Sequence, residues 1–147
     1  MPSVLYYRLD EDTTDTVGIP SSKAPIIDTV NLVSEWESYG DAIDNSITQA
    51  EVGSIVNIAP RYWYWAESKT IDVLLQVRVY DENNERIGME TNSSNQLTDS
   101  NGWSSWESSV SFISEGWGQG TYTAEVLIRD NQSNETSSAG TVEFELV

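Results

Sequence analysis

The chain contains no cysteine and no histidine. The first absence rules out disulfides, thiolate metal sites and cysteine nucleophiles. The second removes the commonest metal ligand and the commonest general base near neutral pH. Basic residues are few: seven in all, with Lys23 and Lys69 the two lysines. Arg8, Arg61, Arg78, Arg86 and Arg129 stand apart from one another among carboxylates. Phosphate binding needs clustered cations, so nucleic acid is not an expected partner. No apolar run is long enough to insert into a bilayer. The opening Met-Pro-Ser-Val-Leu-Tyr-Tyr-Arg-Leu-Asp has no charged stretch ahead of an apolar one. The expectation is a chain with no secretory signal of its own, kept inside the cell until assembly or stripped of a signal beforehand.

What is plentiful is acid. Twenty-four Asp and Glu residues give a formal net charge of -17 over 147 residues. A compact domain so charged repels itself at low ionic strength. In molar salt the Debye length falls to about 3 Å and the repulsion is largely screened, while hydrated carboxylates keep the surface solvated. The composition therefore predicts a hypersaline setting. The densest acidic run, Asp10-Glu11-Asp12, is too short for an acidic tail. Hydrophobic residues make up 38% of the chain, so global disorder is not expected. A chain of about 150 residues forms one domain and buries roughly 70% of its unfolded surface.

The hydrophobic period is two. Ile71, Val73, Leu75, Val77 and Val79 alternate with Asp72, Leu74, Gln76, Arg78 and Tyr80, which reads as a long strand. Tyr122, Ala124, Val126 and Ile128 form a second such face, and Val142, Phe144 and Leu146 a third. Residues 29–37, 54–59, 61–65 and 108–114 are further β-prone runs. Asp81-Glu82-Asn83-Asn84, Asp130 to Asn134 and Gly116-Trp117-Gly118-Gln119-Gly120 supply turn chemistry between them. One polar face per strand is the signature of antiparallel sheets wetted on one side. The expectation is an all-β, antiparallel sandwich of about seven to nine strands. Residues 28–147 would form the sandwich and residues 1–27 an N-terminal arm or extra edge strand, with Val4 to Leu9 as its strand. The only helix expected is a single turn within residues 42–51.

Four groups of residues could carry chemistry. Trp63 and Trp65 share one face of their segment, while Trp103, Trp106 and Trp117 are expected in or near loops. With Arg61 they are the candidates for an interaction surface, toward a glycan ring or a protein partner; the alternative is core packing. Asp81, Glu82 and Asp99 offer hard oxygen ligands, yet neither segment has the spacing of a calcium loop, so no metal and no cofactor is expected. A serine nucleophile would lack a base, since Lys23 and Lys69 sit in no Ser-x-x-Lys context. No carboxylate pair can be placed across a cleft from sequence, and the chain is read as a non-enzyme. Asn92, Asn131 and Asn134 each open an Asn-x-Ser/Thr sequon in an expected loop.

Gly120-Thr121-Tyr122-Thr123-Ala124 resembles the start of strand F in immunoglobulin-like and fibronectin-like sandwiches. The resemblance covers residues 28–147 and implies that the Tyr122 hydroxyl ties down a corner. Ala124 takes the place of the disulfide cysteine, so the likeness is to disulfide-free relatives. It also implies that Trp63 or Trp65 fills the part of the core tryptophan. Fold and composition together resemble the sandwich-built accessory proteins of tailed viruses of halophilic archaea. That likeness implies a non-enzymatic structural protein of the virion: a capsid decoration, turret or tail component. Its partners would be other copies or other virion proteins. The alternative is a secreted or cell-surface module of a halophilic archaeon that binds glycan or protein.

Overall fold

The computed structural model describes residues 23–67, 70–97 and 101–147. Most of the expected arm, including Val4 to Leu9, lies outside the described residues. The elements, in chain order, are β1 (Ile26–Val33), α1 (Asp41–Asp44), β2 (Ser46–Ile47), β3 (Gln49–Ala50), β4 (Ile55–Glu67), β5 (Thr70–Tyr80), β6 (Arg86–Leu97), β7 (Asn101–Glu107), β8 (Val110–Ile113), β9 (Gly120–Asp130), β10 (Glu135–Thr136) and β11 (Gly140–Leu146). They form two sheets. The first has the order β2-β1-β4-β7, with β8 also on β4; the second has the order β3-β11-β9-β5-β6, with β10 also on β9. The protein is an all-β sandwich, antiparallel except where β3 runs parallel to β11.

Alternation puts one row of each strand into the core. Val73, Leu75, Val77 and Val79 of β5 meet Tyr122, Ala124, Val126 and Ile128 of β9, all buried. Leu32 of β1, Val56, Ile58, Tyr62 and Tyr64 of β4, Val110 and Phe112 of β8, and Phe144 and Leu146 of β11 fill the rest of that core. Each such side chain contributes about 1.5–3 kcal/mol on burial.

The two sequence segments 54–59 and 61–65 are one strand, β4, with Pro60 in its middle. Proline has no N–H to give to a ladder. It is tolerated because β4 changes partner there: residues 61–67 pair with β7 and residues 55–58 with β8. N–H and C=O of one residue point to the same neighbour in an antiparallel strand. The Pro60 carbonyl accepts the Ser108 N–H at 3.3 Å, at the kink between β7 and β8, so the missing N–H falls at the kink too.

Two expectations are corrected. Trp103 and Trp106 lie in strand β7 rather than in a loop. The serines between them leave neither face of β7 uniformly apolar, so no alternation marked the strand. Trp63 and Trp65 are not core tryptophans either. Tyr62 and Tyr64 face inward in their place, which turns the two tryptophans outward.

Candidate interaction surface

The outward face of the first sheet is divided by one buried carboxylate. Glu107, the last residue of β7, lies opposite Arg61 across the β4–β7 ladder and is fully buried. Its Oε2 accepts from Arg61 Nε at 2.8 Å and pairs with Nη2 at 2.7 Å, a two-pronged contact. Its Oε1 accepts from Trp36 Nε1 at 3.1 Å, the Gly40 N–H at 2.9 Å and the Ala42 N–H at 3.1 Å. Burial pushes the Glu107 pKa up, but the donors from Trp36, Ala42, Arg61 and Gly40 outweigh it and hold the group below its ordinary value. The same hydrogen bond is the chief cause that raises Arg61. Glu107 thus clamps residues 36–42, including the start of α1, over Val33 and Ala59. Arg61 also lies 4.8 Å from the Tyr39 ring, in cation–π range.

Beyond the clamp the same face is aromatic and open. Ile26, Trp63 and Ser105 form one cross-strand row, and Trp65 and Trp103 the next. Ile26 is 54%, Trp63 40% and Trp103 38% exposed. No carboxylate interrupts these two rows. Trp65 and Trp103 meet edge to face, with centroids 5.7 Å apart and planes at 79°. The Lys23 ammonium lies 4.1 Å from the Trp65 ring. The Trp65 indole N–H is buried and has no hydrogen-bond partner among the described residues. A shallow hollow beside Trp103 is lined by Pro25, Ile26 and Ser137.

The structure therefore brings four of the sequence candidates together: Arg61, Trp63, Trp65 and Trp103. It separates the other two. Trp106 packs against the core from β7, and Trp117 sits between Phe112, at 5.9 Å, and Tyr122, at 5.8 Å. Tyr122 holds its corner: its hydroxyl reaches the Trp117 carbonyl and, at 2.8 Å, the Gly118 carbonyl. Burial first, then the charges of Asp81 and Glu82, raise the pKa of that hydroxyl. Of the calcium candidates, Asp81 spends Oδ1 on the Asn83 and Glu85 N–H groups, both at 2.9 Å, as a turn does. Asp99 lies outside the described residues. Sequence reading missed Glu107 and Ile26. Glu107 is one acid among many, and only its ladder position opposite Arg61 distinguishes it.

No family model matches the chain, and no curated protein matches it. Among the solved structures that resemble part of it, two illustrate the likeness. One is a family 123 glycoside hydrolase from Clostridium perfringens, with TM-score 0.43 and 14% identity over 67% of this chain and 22% of that one. The other is beta-glucuronidase 2 of Bacteroides uniformis, with TM-score 0.44 and 5% identity over 82% of this chain and 14% of that one. The chain spans less than a quarter of either protein.

Proposed function

We propose that the chain is a non-enzymatic assembly protein working in high salt, a decoration, turret or tail component of a virion that infects halophilic archaea. It docks to a protein partner through Ile26, Trp63, Trp65 and Trp103. The observation that carries this reading is the two exposed aromatic rows, Ile26–Trp63–Ser105 and Trp65–Trp103, which hold no carboxylate on a domain of net charge -17. Two acidic surfaces meet most readily where the carboxylates stop, and aromatics are enriched where proteins meet. A protein partner is favoured over a glycan by the edge-to-face pair of Trp65 and Trp103, which offers no flat double platform to a sugar ring.

The test has two arms. Replacing Trp63 and Trp103 together with serine lowers the thermal midpoint only modestly in molar salt, leaves the domain folded by circular dichroism, and abolishes co-purification with the partner. Retention of the partner by that variant overturns the docking face. Immunogold labelling with an antibody to the domain decorates purified particles; label confined to the cell envelope overturns the virion reading and favours the surface-module alternative.

A further inference from the structure

The three sequons are not equivalent in the fold. Asn92 lies in β6, opposite Leu75, and its Nδ2 donates to the Ser109 carbonyl at 3.0 Å. Asn131 is held at both ends of its side chain: Nδ2 donates to Asp72 Oδ1 at 3.1 Å, and Oδ1 accepts from Arg129 Nε at 2.9 Å. Its backbone N–H also donates to the Asp72 carbonyl at 2.9 Å. Asn134 is different. It stands exposed in the turn between β9 and β10, at φ 61°. Its N–H closes the turn on the Asp130 carbonyl at 2.7 Å, and its exposed side-chain amide has no hydrogen-bond partner among the described residues. Asparagine tolerates that left-handed backbone better than most residues. Thr136, the third residue of its sequon, is exposed as well.

We propose that Asn134 is an N-glycosylation site, and that Asn92 and Asn131 are not. Nδ2 of Asn134 forms a bond to the anomeric carbon of a polyprenyl-phosphate-linked oligosaccharide. The anomeric C–O bond breaks, the amide gives one proton to a base of the transferase, and the polyprenyl phosphate leaves with the electron pair. An acceptor amide must be free for this attack. Asn134 presents its amide free, whereas Asn131 would first have to break its bonds to Asp72 and Arg129. Asn134 is not part of the aromatic docking face, although Thr136 of its sequon lines the hollow beside Trp103, and the inference requires a chain that is exported before it is assembled.

The two adjacent sequons, residues 131–133 and 134–136, can be removed one at a time. Ser133→Ala removes the Asn131 sequon alone, and Thr136→Ala removes the Asn134 sequon alone. The full chain is exported from a host with an active oligosaccharyltransferase, and its peptides are mapped by mass spectrometry. The glycan is expected on Asn134, retained in S133A, lost in T136A and restored in Thr136→Ser. A bare Asn134 in a host that modifies its own glycoproteins overturns the proposal. So does a glycan that disappears with S133A, or one carried on Asn92.

Discussion

At the residue scale, Glu107 carries the most. It is a fully buried carboxylate whose Arg61 partner keeps about a quarter of its side chain in solvent. Removing one member of a buried pair strands the other, and the clamp on residues 36–42 goes with it. Glu107→Gln is expected to cost about 3 kcal/mol, read from denaturant midpoints; a loss within error of zero would contradict the clamp. The pH dependence follows from the same contacts. The folded pKa of Glu107 lies below its unfolded value, so its contribution is present above the ordinary glutamate range and fades as pH falls through the depressed value. Wild type should lose stability on acidification over that window, and E107Q should lose less. Tyr122→Phe leaves the Trp117 and Gly118 carbonyls without their donor and should cost about 1 kcal/mol in thermal or chemical unfolding.

At the scale of elements, the long strands were legible and the short ones were not. β5, β9 and β11 each keep an unbroken apolar row at every second residue, so sequence placed them within a residue or two. β2, β3 and β10 are two residues each, too short to show any period. The aromatic face was half legible. The Trp63–Trp65 spacing showed a shared side, but which side depended on Tyr62 and Tyr64 winning the core. The coming together with Trp103 depended on a ladder register that one sequence does not display. Packing between the sheets gives a further expectation. A Cβ on Gly140 of β11 would lie 2.7 Å from Ile27 Cγ2 and 3.0 Å from Val30 Cγ2. Gly140→Ala should therefore push β1 and β11 apart and cost about 1–3 kcal/mol; an unchanged midpoint would show that the edges can slide.

At the scale of the whole molecule, the acid dominates. Ion pairing does little to relieve it: Arg78 and Glu125 approach only to 3.9 Å, and each is about a third exposed. Pairs of that kind contribute about 0–1 kcal/mol. The repulsion has to be screened by solvent ions instead. The thermal midpoint is expected to rise from low salt to about 1 M, where the Debye length is about 3 Å, and equal midpoints would refute salt adaptation. Glu143 and Glu145 lie outward on β11, between Thr121 and Thr123 of β9 and the β3 edge. Replacing both with glutamine should flatten that salt dependence without touching the core.

The terminal strands have a mechanical consequence. Gly140, at the start of β11, lies against Ile27 and Val30 near the start of β1. Leu146, at the end of β11, is held by β3 beside it, and the Val147 N–H bonds Ala50 at 2.9 Å. β1 and β11, which lie in opposite sheets of the sandwich, therefore run in the same direction. Tension applied ahead of β1 and behind β11 pulls from opposite ends of the sandwich, so their ladders are loaded in shear along their whole length. A domain strung this way resists a tug by breaking many hydrogen bonds at once rather than unzipping them singly.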